Sequence, residues 1–191
     1  MKFLRDQIDK LKPTFSEGGK LSFLHSTFDA FETFLFVPNH TTQSGSHIRD
    51  GIDLKRTMFI VIIAMLPALM FGLWNVGHQQ SLALTGTDGS LWDNFFVGLI
   101  QTLPIIIVSY GVGLGIEMGF AQFRGHPVNE GFLVTGMLIP LCMPPDVPLW
   151  MVGLATAFSV VIGKEVFGGT GMNLLNPALT ARMFLYIGYP S

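Results

Sequence analysis

The sequence predicts an all-α integral membrane protein: a bundle of about five membrane segments, some short or broken, preceded by an N-terminal cytoplasmic arm. Hydrophobic residues make up 49% of the 191 residues and charged residues only 13%, whereas soluble domains carry about 25% charge. The mean hydropathy is +0.50. The apolar runs are long enough for membrane helices, which satisfy every backbone hydrogen bond inside a bilayer.

Residues 1–56 are predicted to form the arm. The first 20 residues are polar, and no apolar region of a signal peptide follows them. Leu24, Phe28 and Leu35 repeat at helical spacing, which predicts an amphipathic helix over 21–36. Such a helix lies on the membrane surface, or it covers a membrane pocket as a lid.

Residues 57–191 are predicted to form the membrane domain. Its five apolar segments are 57–76, 95–120, 131–143, 149–163 and 178–189. The first two are long enough to cross a hydrocarbon core about 30 Å thick. The third and fourth are short for a helix that rises about 1.5 Å per residue. They borrow flanking residues, or they are broken or re-entrant helices of the kind that line a site.

The basic residues predict the orientation. Eight of the 11 Lys and Arg residues precede residue 57, and the segments 77–94 and 144–148 contain none. The positive-inside rule therefore places the arm in the cytoplasm and those two segments outside. The other three basic residues, Arg124, Lys164 and Arg182, then fall at cytoplasmic ends. No basic stripe with interleaved aromatic residues occurs, so no nucleic-acid partner is expected.

The second apolar segment contains a glycine pattern and a carboxylate. Gly111, Gly115 and Gly119 share one helical face, which favours helix packing over the approach of a flat ligand. Glu117 lies one turn after Gly113. A carboxylate inside a membrane is a functional candidate, here for a hard cation such as Na⁺; alternatively, its side chain reaches the interface. No histidine pair has metal-ligand spacing, so no metal site is expected.

A glycine-rich turn follows the fourth segment. Asn176 and Pro177 are typical of a helix start. Asn173 precedes Asn176 by three residues, and two carboxamides suit the mixed donor and acceptor edge of a flavin ring. The alternative is a capping turn without a ligand. The adjacent Lys164 and Glu165 are predicted to mark the cytoplasmic interface.

Several ordered motifs resemble one family over essentially the whole chain. They are Ser-His-Ile-Arg-Asp at 46–50, Asp-Leu-Lys-Arg at 53–56, His-Pro-Val-Asn-Glu-Gly-Phe at 126–132, Lys-Glu-Val-Phe-Gly-Gly-Thr-Gly at 164–171 and Asn-Leu-Leu-Asn-Pro-Ala-Leu at 173–179. The chain is similar to the NqrB subunits of the Na⁺-translocating NADH:quinone oxidoreductases. The RnfD subunit of the Rnf complex shares the membrane core and is the alternative within the same family.

The resemblance implies a translocase subunit of the bacterial inner membrane, with a fold like the half repeat of urea transporters. It implies electron transfer from NADH through flavins to a membrane quinone, coupled to Na⁺ export, with the other subunits and the lipid bilayer as partners. The isolated chain is expected to be inactive. Two other classes of function stay open: a permease or channel half without a redox role, and a structural fragment that holds partner subunits.

The resemblance also implies site residues, none of them catalytic and none a metal ligand. Those of the noncovalent riboflavin site are Asn173, Asn176, Gly169 and Gly171. Those of the quinone region are Gly113, Leu24, Phe28 and Phe132, and the residue of the sodium pathway is Glu117. The family binds covalent FMN through a threonine in a Ser-Gly-Ala-Thr motif. That motif does not occur here, so the resemblance covers the N-terminal half and the chain is not expected to carry covalent FMN.

Overall fold

The computed structural model describes residues 2–15, 25, 28, 32, 33, 35, 36, 42–48, 51–124 and 131–189. The α-helices whose bounds are described are α1 (Lys2–Phe15), α2 (Leu54–Thr85), α3 (Leu91–Arg124), α4 (Phe132–Cys142), α5 (Leu149–Gly163) and α6 (Pro177–Gly188). A short 3₁₀ helix, Glu165–Phe167, follows α5. The described residues form no β-strand, which confirms the all-α class.

Three of the described helical stretches are long and apolar enough to cross a membrane: Lys55–Thr85, Leu91–Arg124 and Leu149–Phe167. The apolar helix Phe132–Cys142 is shorter. This combination confirms a membrane bundle with long and short members. At about 1.5 Å per residue, α4 and α6 each cover little more than half of the hydrocarbon core.

The turn between α2 and α3 is shorter than the polar loop predicted over 77–94. Helix α2 continues to Thr85, and the N–H of Gly86 donates to the Leu82 carbonyl at 3.1 Å. Helix α3 begins at Leu91. The polar residues after Val76 are compatible with helix, and a helix can continue into water beyond the hydrocarbon core. The polar residues after Val76 are therefore part of helix α2 and do not mark its end.

Two glycines bring α2 and α3 into close contact. A Cβ on Gly77 would lie 1.8 Å from the carbonyl oxygen of Asn94, and one on Gly98 would lie 1.8 Å from that of Leu73. No side chain fits at these distances. The two longest helices therefore pack backbone against backbone, the arrangement that small residues permit in membrane helices.

Polar side chains join the two helices near their connecting turn. Asn94 is buried; it accepts a hydrogen bond from the Ser81 hydroxyl at 2.8 Å and donates to Asp88 Oδ1 at 2.9 Å. His78 Nδ1 lies 2.7 Å from the same Asp88 oxygen. The hydrogen bond from Asn94 is the main cause that holds the pKa of Asp88 below its usual value, and the hydrogen bond with His78 is the second.

The short helices pack against the middle of α3. Phe132, at the start of α4, meets Gly113, and Pro140, near its end, shares a cavity wall with Ile105. Helix α4 therefore begins partway along α3 and runs antiparallel to it. Helix α6 runs back along α5, where the rings of Phe158 and Phe184 stack at 4.5 Å. The buried core lies among α3, α4, α5 and α6 and contains Ile105, Phe132, Ile139, Met143, Val152, Ala155, Val160, Ala178 and Ala181.

The polar N-terminus contains a helix that the sequence patterns did not predict. Helix α1 contacts the following segment through Phe15, whose ring stacks on Phe28 at 4.8 Å. Lys12 Nζ donates to Glu32 Oε1 at 2.8 Å, and Arg5 lies 3.5 Å from the same carboxylate. The amphipathic helix predicted over 21–36 falls largely outside the described residues, and Leu24 lies outside them altogether.

A Gly77→Ala substitution tests the close approach of α2 and α3. The added Cβ would overlap the Asn94 carbonyl, and overpacking of this kind costs about 1–3 kcal/mol. Gly72→Ala is the matched control on the same helix, because a Cβ there meets no described atom within 4 Å. We expect thermal unfolding in detergent to occur several degrees lower for Gly77→Ala, with Gly72→Ala unchanged or higher. Equal melting temperatures for the two variants would contradict this packing.

Candidate functional site

A buried ion pair links α3 to the end of α5. Lys164 Nζ donates to Glu117 Oε1, and each of these side chains is only 4% exposed. The sequence left two alternatives for Glu117, a cation ligand inside the membrane or a side chain that reaches the interface. It predicted an interfacial position for Lys164. In the structure both are enclosed by protein. An apolar bundle tolerates a buried carboxylate when a cation compensates its charge.

A second pair continues the cluster. Glu165 is buried, and its backbone carbonyl accepts a hydrogen bond from Arg124 Nη2 at 2.8 Å. The carboxylate of Glu165 lies farther away, with Oε2 3.7 Å from Arg124 Nη1. Two acidic and two basic side chains therefore alternate across the junction of α3 and α5. We call Glu117, Lys164, Glu165 and Arg124 the charge cluster.

The end of α5 explains how adjacent residues reach different partners. The helix ends at Gly163, and Lys164 has φ −133° and ψ −61°, outside helical geometry. The 3₁₀ helix then starts at Glu165. This break directs both residues towards α3, where protein buries them. Their predicted position at the cytoplasmic interface stays a prediction.

Two buried oxygens near this region lack hydrogen bonds from the described residues. They are Glu117 Oε2 and Thr170 Oγ1. Thr170 packs against the start of α4, since a Cβ on Gly131 would lie 2.6 Å from Thr170 Cγ2. Glu117 thus has one oxygen bound to Lys164 and a second oxygen available to another ligand.

The glycine-rich turn leads directly out of the charge cluster. Gly168, Gly169 and Gly171 have φ of 114°, 92° and 92°, values that side chains other than glycine rarely adopt. The N–H of Gly169 donates to the Lys164 carbonyl at 3.1 Å. Three left-handed glycines within four residues reverse the chain tightly. Gly168 and Gly171 are exposed, whereas Gly169 is buried.

Asn176 caps α6, as its sequence position predicts. Its Oδ1 accepts from the N–H groups of Ala178 at 2.9 Å and Leu179 at 3.4 Å. Asn173 donates its Nδ2 to the Leu175 carbonyl at 3.1 Å. No described residue bonds the remaining amide group of Asn176 or the remaining oxygen of Asn173. Both asparagines are exposed, so one donor and one acceptor stay available to a ligand.

An aromatic ring occupies the space beside Gly113. A Cβ there would lie 1.8 Å from Phe132 Cζ, and the Phe132 side chain is fully buried. Tyr110 packs edge-on to that ring at 6.4 Å and donates its hydroxyl to the Leu133 carbonyl at 2.7 Å. Gly113 and Phe132 of the predicted quinone region are therefore in contact. Phe28, from the same predicted set, stacks on Phe15 in the arm.

The glycine stripe of α3 does not pack against the described part of the chain. A Cβ on Gly111, Gly115 or Gly119 would meet no described atom within 4 Å. The close contacts of α3 involve Gly98 and Gly113, which the four-residue repeat does not include. The predicted use of the stripe in helix packing is not observed among these residues.

Arg182 lies apart from the charge cluster. Its guanidinium donates to the Cys142 carbonyl, at the end of α4 that precedes the proline-rich turn. The prediction that Arg182 shares one end of the bundle with Arg124 and Lys164 is therefore wrong, because α6 carries it back along α5. It borders an open groove of about 840 Å³ that Asp146, Tyr186 and Tyr189 also line.

Comparison with known proteins gives a consistent result. The family described as NQR2, RnfD, RnfE matches residues 41–191. Proteins named as the NqrB subunit of Na(+)-translocating NADH-quinone reductase from Stutzerimonas stutzeri and Chromohalobacter salexigens are each 45% identical over 98% of this chain, which covers 52% and 51% of their lengths. The protein of that name from Pseudomonas aeruginosa is 44% identical over 98% of the chain and 52% of its own length. The chain spans about half the length of these relatives.

Adding a methyl group at Gly113 tests its contact with Phe132. Gly113→Ala would force the buried Phe132 ring to move, at a cost of about 1–3 kcal/mol. We expect a lower melting temperature than for Gly115→Ala, which adds the same methyl group to the same helix where no described atom is near. Replacing Phe132 with Leu should recover part of the loss in Gly113→Ala. Equal stability of the two alanine variants would contradict the contact.

Proposed function

Because the chain belongs to the NQR2, RnfD, RnfE family, we propose that it is part of the NqrB subunit of a Na⁺-translocating NADH:quinone oxidoreductase. The observation that supports NqrB over other family members is the extent of similarity. The family match begins at residue 41, whereas relatives with the NqrB name align over 98% of the chain, arm included. The proposed partners are the other subunits of the complex, the membrane quinone and the lipid bilayer.

The proposed location is the bacterial inner membrane with the arm in the cytoplasm. Three described helices have the length and composition to cross a membrane, and eight of 11 basic residues precede the first of the predicted membrane segments. In this orientation the charge cluster and the glycine-rich turn lie on the cytoplasmic side of the bundle.

We assign Na⁺ uptake to Glu117. It is a carboxylate buried in an apolar helix, and its Oε2 accepts no hydrogen bond from any described residue. Carboxylate oxygens are the ligands that hard cations prefer. The Na⁺ in this proposal is the transported ion, since relatives with the NqrB name are Na⁺-translocating.

We assign noncovalent riboflavin to the turn before α6, with Asn173, Asn176, Gly169 and Gly171 as the residues that would hold it. The available groups fit such a ring: Asn176 offers an amide donor, Asn173 offers an acceptor, and the exposed Gly171 has no side chain over its backbone. A bound flavin would supply the electron transfer chemistry, while these residues would bind and orient it.

Quinone reduction is assigned to the region around Gly113 and Phe132, with Leu24 and Phe28 of the arm contributing. The contact of Gly113 with the Phe132 ring supports placing these two residues in one apolar region. One helical turn separates Gly113 from Glu117, so the proposed quinone region and the proposed ion site share a face of α3.

The riboflavin assignment predicts the behaviour of Asn176→Asp. This change keeps Oδ1 as the helix cap and removes the amide donor, so the start of α6 should persist while riboflavin content falls. Asn173→Ala should lower it as well. Thr180→Ala is the control, because the Thr180 hydroxyl only donates to the Asn176 carbonyl. Flavin would be extracted from the purified complex and quantified; full riboflavin in both asparagine variants would remove the assignment.

The sodium assignment predicts the behaviour of Glu117→Gln. Glutamine keeps the shape and an acceptor for Lys164 but removes the negative charge. We expect the Na⁺ concentration for half-maximal stimulation of quinone reduction to rise by about tenfold or more, equivalent to about 1.4 kcal/mol. Asp93→Asn, an exposed acid on the same helix, is the matched control. An unchanged Na⁺ dependence in Glu117→Gln would refute the role of this carboxylate.

A further inference from the structure

We propose that Lys164 is a tethered cation that occupies the Glu117 site and that Na⁺ must displace it to bind there. The ammonium group of Lys164 would then set the Na⁺ affinity of the complex. This inference rests on the proposed role of Glu117 in Na⁺ uptake and adds to it the group that competes with the ion.

Burial of the pair makes a resident cation necessary. Both side chains are 4% exposed, so water cannot compensate either charge. A buried charge that loses its partner costs about 3–5 kcal/mol. Glu117 therefore needs a cation beside it in every state in which it is ionised. In the structure that cation is Lys164, and an arriving Na⁺ would have to take its place.

Lys164 has the chemistry of a displaceable group. An ammonium is a compact point charge on a flexible four-carbon stem, in contrast with the planar fork of arginine. Its backbone is already outside helical geometry, at the junction of α5 and the 3₁₀ helix. Side-chain movement there disturbs no helix interior.

A second carboxylate lies next to Lys164 in the chain. Arg124 is bound most closely to the Glu165 backbone carbonyl, at 2.8 Å, and it stays 3.7 Å from the carboxylate oxygen Oε2. Among the residues that the structure describes, Arg124 holds the Glu165 carboxylate only at 3.7 Å. In this proposal the carboxylate receives the ammonium that leaves Glu117.

Repulsion between two cations at one carboxylate makes the two occupants exclusive. The charge cluster contains two acids and two bases and is neutral with Lys164 on Glu117. Entry of Na⁺ without movement of Lys164 would place two cations on one carboxylate. After displacement, Na⁺ neutralises Glu117, the ammonium faces Glu165, and the cluster carries one positive charge. Glu117 Oε2, which no described residue bonds, gives the ion an oxygen that Lys164 does not use.

The test compares Lys164→Met with Lys164→Arg in the assembled complex. Methionine removes the competing cation, and arginine replaces it with one that binds a carboxylate more rigidly. We expect half-maximal stimulation of quinone reduction at a Na⁺ concentration at least about fivefold lower for Lys164→Met, and a comparable increase for Lys164→Arg. Lys10→Met, a change at an exposed lysine of α1, controls for loss of a positive charge elsewhere.

A structural role for Lys164 gives a different result. If it only holds the bundle together, Lys164→Met lowers the maximal rate and leaves the half-maximal Na⁺ concentration unchanged. That result, or an increase in this variant, overturns the inference. If Glu117→Gln still weakens the Na⁺ response, the proposed function survives. If Glu117→Gln also has no effect, the proposed sodium role of Glu117 fails first.

Discussion

The buried pair of Glu117 and Lys164 is the interaction on which the arrangement of the other parts depends. Neither charge is tolerable alone in an apolar bundle, so the end of α5 must remain against α3. The break after Gly163 places Lys164 there, and the glycine-rich turn begins a few residues later. The position of that turn, and hence of Asn176 and α6, follows from the place where the two charges meet.

A second constraint comes from the short helices. Helix ends expose unpaired backbone groups, which are tolerated at membrane depth only when protein encloses them. The start of α4 meets this requirement by packing between α3 and the glycine-rich turn, where Gly131 contacts Thr170 and Phe132 contacts Gly113. The half-length helices therefore bring an irregular backbone segment next to the charge cluster.

The sequence predicted the class, the long helices and the Asn176 cap because composition, length and capping chemistry are local properties. It did not predict the burial of Lys164 and Glu165. The same sequence pattern, two charged residues after an apolar run, is compatible with exposed charges at a helix end and with charges buried at a helix break. Only the contact with α3 distinguishes these two cases. The predicted position of Arg182 at the same end of the bundle as Arg124 and Lys164 was wrong for a related reason. The position of Arg182 depends on how α6 folds back along α5.

The distribution of glycine along α3 connects two of the proposed sites. Gly113 admits the Phe132 ring, and Glu117 follows one turn later on the same face. The rise over that turn is about 6 Å, so the proposed quinone region and the proposed ion site are neighbours on one rigid helix. Communication between them requires no long pathway. Because the two places are neighbours, a change in the cation beside Glu117 alters the electric field at the ring. The shared face of α3 is thus the shortest physical link between the two activities proposed for this protein.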